Sequence, residues 1–428
     1  MKYGAGSACA FARVSTAASR SAIGTEGFRA ASDVIETARG VICPNHPDVP
    51  LQWLTERNWF FRLSAYQERL ERYFAENPEF VQPEYRRNEM LGFIRGGLED
   101  FSISRERTPG GWGIPFPIAE NGESALREDG SWDPEAGVIY VWYDALINYI
   151  TGAGFPDDMD AFSKWWPADL HVIGLDISRF HCLYWPAMLL AAGVPIPKRV
   201  FVHGFLENRG GKLAKSSGNV FDAFAFADEF GVDGARYLLL REAPFEKSSP
   251  ISAESFAKRF NADLANDLGN LVSRTTTLLE KFSGGRVPEP HEGESERALR
   301  ARAEKTLTEH DPAATSLHFA DALAAIFALV SEGNQHFQRT QPWQLVKDES
   351  KGPELEGSLY AGIEAVRLVA YLLYPYTPNI SAKICGLLGV IHPEKARWQD
   401  VAKWGVLKPG DPVKTGPALF PRLERVAT

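Results

Sequence analysis

No stretch of the 428 residues approaches the roughly 18 consecutive apolar residues that a membrane-spanning helix needs. Cysteine is scarce: the four copies, Cys9, Cys43, Cys182 and Cys385, are scattered, which excludes a disulfide framework and fits a reducing compartment. A cytoplasmic location is the expectation. Positive charge is in deficit, with 46 Lys and Arg against 55 Asp and Glu and a net charge of -9. The chain therefore does not advertise nucleic-acid binding, although phosphate contacts need only a local basic patch. A Walker A loop is also missing, because the one glycine-flanked Gly-Lys in a candidate loop is followed by Leu213. What remains is ordinary globular composition, 44% hydrophobic and 24% charged, in a chain too long for one compact core. Two or three domains are expected.

Residues 1–40 are rich in Ala, Ser and Gly, poor in acids, and show no sustained helical or strand period. They read as a leader that stands apart, either transit-like, which would imply an organelle, or non-native. The composition favours neither strongly; a non-native start is the preferred reading. Cys43-Pro44-Asn45-His46 has the spacing of half a zinc knuckle. A structural zinc needs four ligands, and no Cys-x-x-Cys supplies the other pair, so bound zinc is not expected. The aromatic run Trp59-Phe60-Phe61 and a charged helix through Arg69 complete a small connective insert over 41–137.

From there the pattern changes to strand, helix, strand. Val138-Ile139-Tyr140-Val141-Trp142 is a β-former run with a helix starting near Asp144, and Leu170-His171-Val172-Ile173-Gly174 reads as a second strand. A helix over 176–190 and a third strand over 200–206 follow. This order predicts an α/β domain, the second half of a doubly wound parallel sheet. In such sheets ligands bind beyond the carboxyl ends of the strands. Trp142, Gly174, Asp176 and His203 fall at or just past those ends. Lys212 and Lys215, with Ser216 beside the second, sit in a glycine-flanked loop after the third strand. Taken alone that loop reads as a solvated basic turn; with the strand before it, two ammonium groups suit a triphosphate. Past residue 255 the chain turns helical. Leu323, Ile326, Phe327 and Val330, and again Val366, Val369, Ala370 and Leu373, keep the spacing of a helix with one apolar face. An all-α bundle is expected, with Pro342-Trp343 opening one helix as either a packed cap or a base-stacking platform.

Several of these stretches together resemble one family. Val141-Trp142-Tyr143-Asp144-Ala145-Leu146-Ile147-Asn148-Tyr149, the segment from His171 to Trp185-Pro186-Ala187, His203-Gly204-Phe205-Leu206 and Gln341-Pro342-Trp343 look like methionyl-tRNA synthetases. Lys212-Leu213-Ala214-Lys215-Ser216 resembles the KMSKS loop of class I aminoacyl-tRNA synthetases. The resemblance implies five divisions: a leader (1–40), an insert remnant (41–137), half of the catalytic sheet (138–206), a loop and stem-contact region (207–255) and a helical anticodon-binding domain (256–428). By the same resemblance Trp142, Ala145, Tyr149, Ile177 and His181 would line a methionine pocket. Gly174, Asp176, His203, Lys212 and Lys215 would hold ATP with its magnesium, and Lys212, Lys215 and Ser216 would serve catalysis. Asn270, Arg274 and Trp343 would read the anticodon of tRNA-Met. Cys43 and His46 would be an incomplete zinc pair. The sequence departs from the family in three places. Leu213-Ala214 stands where Met-Ser is usual, and Leu175 where Lys is common. The His-Ile-Gly-His signature is found nowhere among the nine histidines. That absence leads us to expect a chain lacking the first half of the catalytic sheet and poor at activating its amino acid.

Overall fold

The computed structural model describes residues 11–13, 19–23, 35–37, 40–43, 46–56, 58–107, 112–119, 123–133, 136–208, 211–212 and 221–423. The chain divides into two compact units, Met1–Val202 and His203–Thr428. No helix among the described residues is long and apolar enough to cross a membrane.

In the first unit the parallel sheet has the strand order His171–Gly174, Val200–His203, Val81–Gln82. Val200 lies opposite Val81 and Phe201 opposite Gln82 in parallel register. Val200, Phe201 and Val202 are buried, as a strand covered on both faces must be. Two of the three expected strands are therefore here, and the third is not the expected one. Only Val138–Ile139 is extended, and it pairs antiparallel with Ser104–Arg105. The helix begins at Val141, so Trp142 lies in its first turn rather than on a strand. Packing overrides β propensity at this point. Tyr143 contacts the rings of Phe61 and Phe101, and it shares a helix face with the buried Leu146 and Ile150. The sheet takes Val81–Gln82 instead, two residues between Pro78 and Pro83 with no alternation to betray them.

The expected helix over 176–190 is three pieces. A 3₁₀ turn, Leu175–Ile177, leads to a π-helical turn, Phe180–Tyr184, and then to the α-helix Trp185–Ala192. Gly193 ends it in the left-handed region at φ 68°. The segment that showed no period also carries strands: Phe11–Arg13 pairs with Trp59–Phe61, and Ser19–Ile23 with His46–Glu56. Runs of three and five residues are too short for a period to register; their partners supply the pairing.

In the second unit the third strand stops at His203 and does not continue to Leu206. Gly204 donates its N–H to Phe245 O at 3.0 Å. A Cβ there would sit 2.0 Å from the Lys247 carbonyl carbon, so only glycine admits this crossing of backbones. A new strand, Leu206–Asn208, then pairs with Gly211–Lys212 and with Ser249–Pro250. Beyond it the unit is helical, and both expected stripes are core: Leu323, Ile326, Phe327 and Val330 on Phe319–Thr340, and Val366, Val369, Ala370 and Leu373 on Gly352–Leu373. The latter helix is buried on every side from Gly357 to Leu373.

Candidate functional site

Tyr149 and His181 are 32 residues apart and share a hydrogen bond of 2.9 Å between Oη and Nε2. The helix Val141–Gly152 carries the first and the π-helical turn carries the second. A π turn widens the helix by one residue and is frequent at functional positions. The direction of the proton follows from the neighbour. His181 Nδ1 lies 3.0 Å from Ile177 O, and a carbonyl can only accept, so Nδ1 carries the hydrogen. Burial holds the ring's pKa below the ordinary 6.5, against a smaller opposing effect of the Ile177 bond, so the ring is neutral near pH 7. Nε2 is then an acceptor and Tyr149 must donate.

Aromatic rings surround this pair. Tyr149 lies 4.4 Å from the His171 ring and 6.2 Å from the Trp185 ring, centroid to centroid. Trp142 stacks on Phe180 at 5.1 Å. His171 is buried, its Nε2 has no partner among the described residues, and its pKa is pushed down to about 4, by burial and then by His181. The result is a cluster of aromatic faces and neutral imidazoles around the Tyr149–His181 bond. Such faces suit a polarizable apolar side chain, a thioether among them, and offer nothing to a charged one. Neither Phe180 nor His171 was assigned to the pocket by sequence reasoning. The signal for both was their place around His181 in one short segment.

Gly174 closes its strand and Asp176 follows in the 3₁₀ turn with its side chain exposed. His203 belongs to the second unit. Its Nδ1 lies 2.8 Å from Gly204 O, and its ring stacks on Phe245 at 5.4 Å and 12°. The backbone of Lys212 lies in the hairpin strand opposite Glu207. Lys215 and Ser216 lie outside the described residues. Cys43 and His46 are register partners in adjacent strands, and their side chains also lie outside. Among the described residues no group of three or more His, Cys, Asp or Glu is placed to hold a metal.

A second site lies in the helical unit. A groove of about 200 Å³ is lined by Asn266, Asp267, Asn270 and Arg274 on one side and Ser331, Asn334, Gln335 and Gln338 on the other. The first wall runs from the end of another π-helical stretch, Phe260–Leu268, into the helix Gly269–Ser283. The second is a polar strip along one flank of the Phe319–Thr340 helix, spaced by three, four and seven residues beside its apolar stripe. Asn270 and Arg274 were expected from the sequence to act together, and one turn of helix brings them to the same groove. Trp343 is not among the lining residues; it is partly buried against the helical core. Sequence reasoning passed over Asn334, Gln335 and Gln338, whose uncharged polar stripe along the edge of an apolar one was the available signal.

Known proteins fit this picture. A family profile described as tRNA synthetases class I (M) matches residues 7–276, and one described as the anticodon binding domain of methionyl tRNA ligase matches 287–426. The methionine–tRNA ligase of Caldanaerobacter subterraneus subsp. tengcongensis is 44% identical over 377 residues, 88% of this chain and 56% of that protein. That of Mycobacterium tuberculosis H37Rv is 43% identical over 383 residues, 88% of this chain and 69% of that protein. This chain thus spans little more than half to about two thirds of the length of these relatives. The structure of Mycobacterium tuberculosis methionyl-tRNA synthetase in complex with methionyl-adenylate superposes with a TM-score of 0.83 at 41% identity, covering 93% of this chain and 75% of that one. A parallel-sheet nucleotide-binding fold followed by a helical anticodon-binding fold, matched by both profiles and by relatives above 40% identity, places the chain in the methionyl-tRNA synthetase family.

Proposed function

We propose that this chain is a methionine–tRNA ligase: it takes methionine and ATP to methionyl-adenylate and pyrophosphate, then transfers the methionyl group to tRNA-Met. The observation that supports the amino-acid choice is the Tyr149–His181–Ile177 hydrogen-bond chain within a cluster of aromatic rings. Trp142, Ala145 and Ile177 complete that pocket in this reading. ATP enters as its magnesium complex, with the ion riding on phosphate oxygens. Asp176 accepts from ribose hydroxyls, Gly174 lets the nucleotide approach the backbone, and His203 lies by the phosphates. Lys212 and Lys215 hold the triphosphate, with Ser216 beside them. Methionine's carboxylate oxygen attacks the α-phosphorus in line as the bond to pyrophosphate breaks, and the lysines take up the charge that develops.

A second reading, a tRNA-binding chain with little catalysis, is favoured by one sequence fact: no His-Ile-Gly-His lies within these residues. In the family reading that signature opposes the lysine loop, and losing one preorganised donor costs about 10²–10³ in rate. On this second reading these residues carry only the lysine-loop side of the catalytic site. Two measurements separate the readings. Methionine should quench tryptophan fluorescence of the chain and an acidic amino acid such as glutamate should not; no methionine response would defeat the pocket. Methionine-dependent ATP–pyrophosphate exchange should exceed that of Lys215→Ala on the first reading and match it on the second. Exchange well above that control would show the chain to be a full activating enzyme.

A further inference from the structure

The helical groove has two chemically different sides. Arg274 and Asn270 bring donors. One turn earlier on the same wall stands Asp267, an exposed carboxylate with no salt bridge or hydrogen bond among the described residues. A bare carboxylate in a groove meant for RNA repels phosphate and lowers affinity for every sequence. Its position is also held. Asn334, from the opposite helix, donates through Nδ2 to Asp267 O at 3.0 Å and to Val330 O at 3.3 Å. Both acceptors are carbonyls, so the amide's orientation is fixed, and its own Oδ1 is left buried without a partner. Asn334 thus ties the Asp267 backbone to the facing helix while its own acceptor stays unsatisfied.

We propose that Asp267 is a base-reading residue that accepts a hydrogen bond from the exocyclic amino group of an RNA base, with Asn334 positioning it. Arg274 and Asn270 would donate to the adjacent ring nitrogen or keto oxygen. The combined pattern fits the Watson–Crick edge of cytosine or adenine and rejects uracil, which places an oxygen against the carboxylate, and the keto face of guanine or hypoxanthine likewise. This rests on the reading of the groove as the anticodon site. Burial, and then Asp263, raise the proton affinity of Asp267 above that of an ordinary carboxylate.

The test is gel-shift titration of the full chain at fixed salt with short RNA stem–loops. The loops carry CAU, UAU or CIU, where U and inosine exchange an amino for a keto group, together with one unrelated anticodon. Affinity ratios are read, because removing a negative charge tightens all RNAs alike. Asp267→Ala should lower the CAU preference over UAU or CIU by roughly tenfold. Asp267→Asn, which keeps an acceptor oxygen, should retain most of it. Asn334→Ala should erode the same preference, checked against its melting temperature. If the wild-type chain does not prefer CAU to the unrelated loop, the anticodon reading itself fails. If it does prefer CAU and Asp267→Ala leaves both amino-to-keto ratios unchanged, Asp267 reads no base.

Discussion

Tyr149 has one proton, and the structure commits it to His181 Nε2. Tyr149→Phe keeps the ring against His171 and Trp185 but leaves a buried imidazole nitrogen without its donor. A stability loss of about 1–3 kcal/mol is expected, read by chemical denaturation, together with weaker methionine quenching. An unchanged midpoint would mean that the bond adds nothing. The neighbouring His171 sets a pH dependence. Its folded pKa of about 4 lies below the ordinary 6.5, so across that window the unfolded chain binds the extra proton and the folded chain does not. The stability it confers is full above pH 6.5 and is lost as pH falls towards 4. His181 is shifted the same way. His171→Phe should therefore flatten the fall in melting temperature between pH 6.5 and 4; a slope identical to wild type would count against a neutral buried His171.

Among the elements, the least tolerant pair sits on the central helix Gly352–Leu373. Glu364 and Arg367 are fully buried and bond at 2.7 and 2.9 Å. Glu364 also accepts from the N–H groups of Gly405 and Val406 at 2.7 and 3.0 Å, and Arg367 donates to Val401 O and Lys403 O. Breaking such a pair typically costs about 3–5 kcal/mol. The two halves are not equal. Arg367→Met leaves the carboxylate bonded to backbone N–H groups, whereas Glu364→Leu leaves a buried cation with only neutral carbonyl partners and strands the N–H groups of Gly405 and Val406. Denaturation should rank Glu364→Leu as the more damaging; the reverse order would show that Arg367 carries the joint. None of this joint was legible in the sequence, where Glu364 and Arg367 look like an exposed pair beside an apolar stripe. The stripes themselves were legible, because helical period survives in any single chain. The strand at Val138 was misjudged because the rings that claim Tyr143 as helix, Phe61 and Phe101, are distant in sequence. The pocket was legible only through resemblance; periodicity could not have paired Tyr149 with His181. Both π turns were invisible, since one extra residue per turn leaves no compositional trace.

At the scale of the molecule, the two units hold separate cores. One is built around residues such as Phe61, Phe74, Ile94, Trp185 and Val200, the other around Leu264, Leu323, Ile326, Val366 and Leu373. Calorimetry is expected to show two transitions. A ligand stabilises the unit that binds it, so methionine should raise one transition and a CAU stem–loop the other. A single transition moved equally by both ligands would contradict two self-contained cores. The central helix adds a last consequence. Most helices keep an outward face on which sequence can drift without harm, but from Gly357 to Leu373 this one has none. Its positions are fixed by neighbours on all sides, including Gly362, where a methyl group would lie 2.2 Å from the Phe337 ring. In the diversification of this lineage that stretch should behave as a slow clock. Changes there should arrive in compensated sets with residues of the surrounding helices.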